Sequence, residues 1–390
     1  MLLLPFEFRM PRLVLHGPGS LRDLEKELSR MDLKKTMIVT SDAIKCSDHY
    51  ALLLEMLSRS LIDTSCYTIP TGEPTVISVR DGVNQFLKDR CDSFFAIGGG
   101  SCIDTAKAIG ILATNGADLK HFTGQDRIIH PLPPIVAIPS TGGSGSEVSR
   151  YAMITDPEER VKMKFSSPLL IPEIAVSDPL LTVSLSPLNT AAVGLDAFCH
   201  ALESLTSKKE QPLTNILALS AIKLISEHLR KAWCDGTDIK ARSGVMLAGI
   251  LGGICTTNSS ATLIHAMSRP LSAIFDIPHG LANASLLPTW AEFTFLSCPE
   301  KFRLVAETMN YGPCSENPLE GARMGIDAIR SLCRDLEVPC IEEMGIDIDD
   351  FENSLDKMAD DALTSDTTEN NPRSVTRKQI IELYKKAYLG

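Results

Sequence analysis

Two pairs of residues in the second half of the chain have the types and spacing of a metal site. Asp196 and His200 stand four residues apart, so on a helix they share one face. His265 and His279 follow among apolar neighbours, with Gly280 directly after the second histidine. One carboxylate and three imidazoles form a ligand set that Fe²⁺, Zn²⁺ or Mn²⁺ accepts, with positions left open for a substrate oxygen. These residues predict a divalent-metal site.

A simpler interpretation of the first pair is a solvent-facing position. The helix that carries Asp196 and His200 has an apolar stripe roughly opposite them, formed by Leu195, Phe198, Leu202 and Leu205. Against this interpretation, residues 191–207 contain two acidic side chains and no Lys or Arg, which is sparse for a surface helix. The composition of the helix therefore favours the metal site.

Two loops in the first half of the chain have the composition of a phosphate-binding site. Residues 96–107, AIGGGSCIDTAK, combine a strand end, three glycines and the start of a helix, where backbone amides can approach an anion. Residues 138–149, IPSTGGSGSEVS, form a second Gly- and Ser-rich loop after another predicted strand. Two such loops at neighbouring strand ends suit a dinucleotide, although each alone could be a tight turn and neither has the G-x-G-x-x-G spacing.

The end of an earlier predicted strand offers a group for the adenosine ribose of such a dinucleotide. Asp42, just after that strand, could accept a hydrogen bond from a ribose hydroxyl, and Ser41 is the neighbouring candidate. An acidic residue there disfavours the 2′-phosphate of NADP, so the sequence predicts NAD as the cofactor.

The elements that must position these groups change in character along the chain. Strands are predicted at 36–41, 65–70, 93–99 and 134–140, and they alternate with helices at 48–61, 76–90 and 103–116, which is typical of a parallel sheet covered by helices. Beyond Pro187, long helical patterns dominate. We therefore predict an α/β domain over residues 1–186 and an all-helical domain over 187–390. Residues 356–370 are predicted as a solvated charged face before a final helix.

Composition excludes several classes of protein. The 390 residues are 44% hydrophobic and 22% charged, which is typical of globular proteins. Lys and Arg number 38 against 49 Asp and Glu, and a net charge of −11 argues against nucleic-acid and membrane partners. Eleven cysteines without a C-x-x-C pair indicate reduced thiols. With no signal peptide, and an apolar stretch at 244–255 too short to span a bilayer, we expect a cytoplasmic protein.

The segments GGGSCIDTAK, IPSTGGSGSEVS, GLDAFCH and HAMSRPLSAIFDIPHG, in this order and spacing, resemble the iron-containing (group III) alcohol dehydrogenase family. The resemblance covers essentially the whole chain. It implies an α/β N-terminal dinucleotide-binding domain plus an all-α C-terminal metal-binding domain, the fold also found in dehydroquinate synthase, with the active site in the cleft between them. It further implies a homodimer or a higher homo-oligomer.

Carried over position by position, the resemblance assigns site residues. The metal, Fe²⁺ or alternatively Zn²⁺ or Mn²⁺, would be bound by Asp196, His200, His265 and His279. NAD would be bound by Asp42 and by the residues of the two loops and later positions: Gly99, Gly100, Ser101, Asp104, Thr141, Ser149, Lys162 and Thr182.

One position departs from the family pattern. The family usually has a second histidine four residues after the first in the segment that opens at His265, and here that position is Arg269. Arginine stays protonated at any working pH and cannot relay a proton as histidine can. The family position favours a catalytic, substrate-facing role for Arg269 beside His265; the alternative is an ion pair with a nearby carboxylate such as Asp276.

The resulting functional prediction is a metal-dependent, NAD(P)-linked alcohol dehydrogenase that also acts as an aldehyde reductase. Its substrate would be a small aldehyde or primary alcohol, including one with a sulfonate, phosphonate or carboxylate group to pair with Arg269. The alternative is a dehydroquinate synthase-type lyase, which needs several basic residues for a sugar phosphate, whereas the metal region offers mainly Arg269 and Arg150. A non-enzymatic binding protein would have no need of all four ligand-type residues together with the glycine loop.

Overall fold

The computed structural model describes residues 5–70, 72–116, 118–159, 161–312 and 315–390. The chain forms two compact units, an α/β unit, Arg9–Ser184, and a helical unit that comprises Leu185–Gly390 and the described N-terminal residues 5–8. Nε2 of Gln211 donates a hydrogen bond to the carbonyl oxygen of Glu7 (3.4 Å), which ties this segment to the helical unit. The α/β unit thus begins at Arg9, later than the residue 1 expected from the sequence.

The α/β unit is built on a parallel sheet. Its strands in chain order are β1 (Leu13–His16), β2 (Lys35–Thr40), β3 (Asp63–Thr68), β4 (Ser93–Gly98), β5 (Gly124–Gln125), β6 (Ile135–Pro139), β7 (Tyr151–Asp156), β8 (Val161–Ser166) and β9 (Ile174–Ser177). Six of them form one sheet in the order β1-β9-β6-β4-β2-β3, with parallel pairing throughout the described register. A smaller sheet has the order β5-β8-β7.

Helices cover both faces of the large sheet. They are α1 (Ser20–Asp23), α2 (Glu25–Leu28), α3 (Asp42–Lys45), α4 (Asp48–Arg59), α5 (Val76–Asp89) and α6 (Gly100–Asn115). Successive residues of β4 point to opposite faces: Phe94 packs in the apolar cluster that includes Ile103 of α6, and Phe95 packs in the cluster that includes Leu53 of α4. This two-sided burial explains why β4 is buried along its whole length and is apolar from Phe94 to Ile97.

The second unit is helical throughout its described residues apart from turns. Its helices are α7 (Pro187–Thr206), α8 (Pro212–Cys234), α9 (Ile239–Asn258), α10 (Leu263–Phe275), α11 (His279–Thr294), α12 (Pro299–Thr308), α13 (Pro318–Asp335), α14 (Ile348–Thr364) and α15 (Arg377–Leu389). One apolar core joins them, with Phe198, Leu202, Trp290 and Tyr384 among its buried members. The predicted architecture, an α/β part followed by an all-helical part, is confirmed.

Helix α9 is longer than the apolar stretch recognised in the sequence. Its 20 residues extend beyond 244–255 at both ends, and by length and composition it could cross a membrane, alone among the described helices. However, 72% of its most apolar 18-residue window is buried inside the structure. Burial of that kind is typical of a core helix, because the helix contacts neighbouring helices on most sides.

The prediction of a solvated face at residues 356–370 is right for charged side chains such as the exposed Asp356 and Asp360, but wrong for the segment as a whole. Helix α14 continues to Thr364 and buries Met358, Ala359 and Ala362, and Asn370 is buried after it. The segment contains many acidic residues, and between them its apolar residues recur with helical spacing and form one buried face. This segment therefore forms part of the helical unit's interior as well as its surface.

Candidate functional site

Helix α7 brings the first two predicted metal ligands into the interior. Its start is fixed by Ser186, whose side chain accepts a hydrogen bond from the backbone N–H of Asn189 (3.2 Å). Asp196 and His200 lie one turn apart and are both buried, with 3.9 Å between Oδ1 and Nε2. The solvent-facing interpretation of this pair is therefore wrong.

Two further helices bring their histidines to Asp196. Nε2 of His265 on α10 lies 3.7 Å from Oδ1 of Asp196, and the rings of His200 and His265 stack with their centroids 4.6 Å apart. His279, the first residue of α11, meets the ring of His265 edge-on at 5.3 Å. One ligand atom each from Asp196, His265 and His279 lies within 4.8 Å of the others.

Glycines allow the helices to approach closely enough for this arrangement. A Cβ atom on Gly280 would lie 2.7 Å from the carbonyl oxygen of Ala192, so α11 begins directly against the backbone of α7. A Cβ atom on Gly252 would lie 3.0 Å from the carbonyl oxygen of Ala197, so α9 packs equally tightly on α7. The glycine after His279 is therefore required for that histidine to reach α7.

The chemistry of the donor set fits a divalent cation. Nδ2 of Asn283 lies 2.7 Å from Oδ1 of Asp196 and 3.2 Å from Nε2 of both His265 and His279. An amide nitrogen carries two protons, so this one group donates at most two hydrogen bonds among these three atoms. Within the described part of the chain, no Lys or Arg pairs with the buried carboxylate of Asp196. Lone pairs that converge beside an uncompensated carboxylate are the arrangement that a divalent metal stabilises.

The buried carboxylate of Glu203, which we did not identify from the sequence, contacts the ring nitrogen of His265 that faces away from Asp196. Glu203 on α7 is completely buried, and its Oε2 contacts Nδ1 of His265. Its Oε1 accepts hydrogen bonds from the backbone N–H and the hydroxyl of Thr262 (2.9 and 2.8 Å). Burial acts to raise the pKa of Glu203, but the nearby His265 and the hydrogen bonds from Thr262 outweigh it and lower the pKa.

Arg269 has an acidic partner, although a different one from the residue expected. It follows His265 by one turn of α10, and its Nη1 donates a hydrogen bond to Oγ of Ser365 (3.1 Å). The same Nη1 lies 3.7 Å from Oδ1 of Asp366, in the segment after α14, whereas the sequence suggested Asp276. The Arg269 side chain is 15% exposed and that of Asp366 is 55% exposed.

In the α/β unit, the structure brings the two predicted loops together. Helix α6 begins immediately after β4, and Gly98 at this turn has a φ of +152°, a conformation that favours glycine. A Cβ atom on Gly100 would lie 2.9 Å from Oγ of Ser144, and one on Gly99 would lie 3.8 Å from Cγ2 of Thr141. The predicted residues Gly99, Gly100, Ser101 and Thr141 therefore lie around one helix N-terminus, which no described side chain caps.

A buried lysine shapes the second loop. Nζ of Lys107 donates to the backbone carbonyl oxygens of Ser146 (2.7 Å), Ser149 (2.9 Å) and Tyr151 (2.7 Å). Burial lowers the pKa of Lys107 to about 8, against the opposing effect of Asp104. Lys107 therefore holds the backbone around the predicted cofactor residue Ser149.

Asp104 and its neighbour Glu147 are buried acids in the same region. Oδ2 of Asp104 accepts a hydrogen bond from the backbone N–H of Met153 (2.9 Å), and burial raises the pKa of Asp104 to about 6. Burial also raises the pKa of Glu147 to about 7, and its Oε2 has no hydrogen-bond partner among the described residues. The role of Asp104 in cofactor binding stays a prediction.

The remaining predicted cofactor residues have partners within the α/β unit or lie at its surface. Nζ of Lys162 is 3.0 Å from Oε1 of Glu73, and Oγ1 of Thr182 donates to the carbonyl oxygen of Pro179 (2.8 Å). Ser41 precedes α3 in an extended conformation, and Asp42 is the exposed first residue of that helix. Their roles in cofactor binding also stay predictions.

Sequence reasoning missed Glu203, Asn283 and Lys107. Glu203 had a usable signal, because it is one of only two acids on a helix without Lys or Arg. Asn283 follows His279 by four residues and so shares its helix face. Lys107 lies inside the glycine-loop motif, but nothing in the sequence shows that its ammonium group turns inward to a loop some forty residues later.

Comparisons with known proteins identify the family of the chain. The family model described as iron-containing alcohol dehydrogenase matches residues 11–179, and that of the Fe-containing alcohol dehydrogenase family, C-terminal, matches residues 190–388. The 1,3-propanediol dehydrogenase of Citrobacter freundii is 34% identical, over 98% of this chain and 99% of that protein. The NAD-dependent methanol dehydrogenase of Bacillus methanolicus is 30% identical, over 97% and 99%.

A solved structure extends the comparison to the fold. The crystal structure of a 1,3-propanediol oxidoreductase superposes with a TM-score of 0.94 at 32% identity, covering 98% of this chain and 100% of that one. Sequence and structure therefore agree over nearly the whole length. The chain belongs to the iron-containing alcohol dehydrogenase family and is an alcohol dehydrogenase.

Proposed function

We propose that the protein interconverts a small primary alcohol and its aldehyde, with the metal bound by Asp196, His200, His265 and His279. The observation that carries this proposal is the convergence of one ligand atom from each of Asp196, His265 and His279 within 4.8 Å. His200 is not part of that group, but its Nε2 lies 3.9 Å from Oδ1 of Asp196, which supports its inclusion as the fourth ligand. A carboxylate with three imidazoles leaves coordination positions for a small oxygen-containing substrate.

The residues of the chain bind the metal and the cofactor and orient the substrate, and the metal and the cofactor supply the chemical reactivity. When bound, the metal supplies Lewis acidity toward the substrate oxygen, and NAD carries the hydride. Asp196, His200 and His265 are buried in the helical unit, which limits competition from water for their lone pairs. Arg269 stays charged at any working pH, so we propose that it orients substrate rather than relays a proton.

The glycine turn and the loop beside it are proposed to bind the pyrophosphate of NAD. Gly99, Gly100 and Ser101 open α6, and backbone N–H groups at a helix start favour anions. The close approach of Gly100 to Ser144 supports a cradle made by both loops. Asp42, exposed at the start of α3, is proposed to accept a hydrogen bond from the adenosine ribose.

Short neutral alcohols are the first candidate substrates. The relatives named above are called 1,3-propanediol dehydrogenase and NAD-dependent methanol dehydrogenase, and both substrates are small, uncharged primary alcohols. In this chain Asp366 supplies Arg269 with an internal anionic partner at 3.7 Å. That ion pair offsets the charge of Arg269, so a neutral substrate leaves no unpaired cation.

Short aldehydes that carry a carboxylate, sulfonate or phosphonate are the second candidate. The observation that favours them is a permanent cation on the same helix face as His265, one turn along α10. The carboxylate of Asp366, 3.7 Å from Nη1 of Arg269, is 55% exposed, and solvent screening weakens so exposed an ion pair. An anionic substrate would compete with Asp366 for this group.

The experiment is a rate panel with the metal-loaded enzyme. NADH oxidation is measured with neutral, carboxylated, sulfonated and phosphonated aldehydes of equal chain length, and NAD⁺ reduction with the matching alcohols. We expect stoichiometric NADH consumption that is lost in Asp196→Ala. Substrate turnover without net NADH change would instead support the lyase alternative, and no turnover of any member would overturn the proposal.

Assembly and location stay predictions. We expect a homodimer or a larger homo-oligomer in the cytoplasm, and light scattering with size-exclusion chromatography measures the first of these. A monomer at micromolar concentration would contradict the predicted assembly.

A further inference from the structure

The carboxylate of Glu203 on α7 contacts both the start of α10 and the ring of the proposed metal ligand His265. One oxygen, Oε1, accepts hydrogen bonds at the start of α10: from Thr262 as described above and from the backbone N–H of Ile264 (2.9 Å). The backbone N–H of His265 also points to this oxygen, at 3.4 Å. The other oxygen, Oε2, contacts the ring nitrogen Nδ1 of His265. One side chain thus contacts both the backbone and the ring of the same histidine.

This contact decides which ring nitrogen of His265 carries the proton. In a neutral imidazole one nitrogen donates and the other accepts, and a carboxylate can only accept. Because Oε2 of Glu203 faces Nδ1, the proton belongs on Nδ1 and the lone pair on Nε2. Nε2 is the atom that lies 3.7 Å from Oδ1 of Asp196 and 3.2 Å from Nδ2 of Asn283. The lone pair therefore points to the position where the proposed ligands converge.

The contact also fixes the ring's orientation. Glu203 belongs to α7, the helix that carries Asp196 and His200, and it is completely buried there. Its hydrogen bonds to Thr262 and Ile264 hold the first turn of α10 at a set position against α7. His265 therefore has little freedom to turn its Nε2 away from Asp196.

We propose that Glu203 is a positioning residue for the metal centre, holding His265 in the Nδ1-protonated form with Nε2 directed at the metal. The inference rests on the proposed function in one respect, that His265 is a metal ligand. A carboxylate behind a ligating histidine fixes its orientation and raises its basicity, and the loss of such a partner typically lowers metal affinity roughly 10- to 100-fold.

The decisive variant is Glu203→Gln, which keeps the size of the side chain. With its carbonyl oxygen toward the N–H groups of Thr262 and Ile264, the amide presents an NH₂ group to Nδ1 of His265. Nδ1 must then accept, which moves the ring proton to Nε2 and blocks the metal-directed lone pair. Affinity for Co²⁺ and Zn²⁺ is measured by competition with a chelator. We expect it to fall about 10- to 100-fold in Glu203→Gln.

A matched control separates positioning from general stability. Thr262→Val removes a hydroxyl donor to Oε1 but leaves the contact of Oε2 with His265, so it should lower thermal stability and leave metal affinity within about twofold. Equal losses of metal affinity in Thr262→Val and Glu203→Gln would mean that Glu203 acts only by holding the fold, and would overturn the inference.

Two further readouts keep the inference independent of the proposed function. The first is the set of ¹⁵N chemical shifts of the histidine rings in wild-type protein freed of metal, with the His265 signals assigned by their absence in His265→Gln. We expect the His265 proton on Nδ1. A proton on Nε2 would overturn the inference without the need for a Glu203 variant. Loss of metal in His265→Ala together with full affinity in Glu203→Gln would refute the role of Glu203 alone. Retention of metal in His265→Ala would refute the proposed ligand set itself.

Discussion

Oδ1 of Asp196 on α7 lies 3.7 Å from Nε2 of His265 on α10. With the His265 proton held at Nδ1 by Glu203, both of these atoms offer lone pairs to the same place. Two acceptors that face each other in a buried site repel each other unless a donor or a cation lies between them. Nδ2 of Asn283 lies 2.7 Å from Oδ1 and 3.2 Å from Nε2 and supplies a donor to this place. A divalent cation would attract both lone pairs more strongly than an amide proton does, so this relationship supports the proposed metal site.

Exchange of Arg269 for histidine should separate the two substrate candidates. If the substrate carries an anion, Arg269→His should lower kcat/KM for the anionic aldehyde by roughly 10- to 150-fold, the value of a charge-assisted contact, and leave a neutral aldehyde of equal length unchanged or faster. Steady-state kinetics on the matched pair measure this.

The matched variant is Asp366→Asn, which removes the internal competitor for Arg269 while keeping the shape of the side chain. It should raise kcat/KM for the anionic aldehyde by a few-fold, or about 1 kcal/mol. An equal loss of kcat/KM on both aldehydes in Arg269→His would assign this residue a structural role and would rule out an anionic substrate as the reason for its presence.

The packing of the two loops predicts different outcomes at adjacent glycines. In Gly100→Ala the new methyl group would lie 2.9 Å from Oγ and 3.1 Å from Cβ of Ser144, so Ser144 must shift. We expect a stability loss of about 1–3 kcal/mol and weaker NAD binding. In Gly99→Ala the nearest atom, Cγ2 of Thr141, is at 3.8 Å, an ordinary contact.

Thermal denaturation without cofactor and calorimetric titration with NAD⁺ measure the two effects. Gly99→Ala should keep stability within about 0.5 kcal/mol of the wild type, as is usual for a substitution without steric conflict. Similar stability in both variants would show that the loops do not pack as described.

The sequence predicts the elements of the sheet well because their signals are local. Strands β2, β3, β4 and β6 overlap the four predicted strands, since each is a short apolar or β-branched run between turns. Strands β1 and β9 were missed: each has only four residues, and β1 becomes a strand by pairing with β9, far away in the chain. Such pairing has no local signal.

In the candidate site, too, some residues can be predicted from the sequence and others cannot. Asp196 and His200 are recognisable from their spacing, and His279 from its glycine neighbour. The partnership of Glu203 with His265 and that of Arg269 with Asp366 depend on how separate helices pack, which neither periodicity nor composition encodes. Asp276 was the wrong partner for Arg269 because nearness in sequence was used in place of the packing of α14 against α10.

The buried acid Glu147 predicts a pH dependence of stability. Its pKa in the folded protein, about 7, is raised above the ordinary 4.5 by burial, so its stabilising neutral form is fully present below pH 4.5 and is lost as the pH rises through 7. Ionisation costs at most roughly 3 kcal/mol. Glu147→Gln cannot ionise, so its stability relative to the wild type should increase from pH 5 to pH 8.

Urea denaturation at the two pH values measures this difference. Glu158→Gln, at an exposed position in the same unit, is the control and should show no such trend. A Glu147→Gln variant that loses stability relative to the wild type between pH 5 and pH 8 would contradict the assignment.

The exposed carboxylate of Asp42 predicts the cofactor preference. The wild type should prefer NADH over NADPH, because a carboxylate repels the 2′-phosphate and competes for the ribose hydroxyl. Asp42→Ala should narrow the preference in kcat/KM by about tenfold, the scale of one charged contact. Ser41→Asp should increase the preference for NADH over NADPH. Equal kcat/KM for both cofactors in the wild type would show that neither residue contacts the ribose.

The most direct test of the account is to locate the metal itself. Crystals of the metal-loaded protein, with diffraction data collected above and below the absorption edge of the bound metal, give its position from anomalous scattering. We predict one strong peak at about 2.0–2.2 Å from ligand atoms of Asp196, His200, His265 and His279, with the contact to His265 through Nε2. A peak away from these four side chains, or one bonded to Nδ1 of His265, would contradict the central claim.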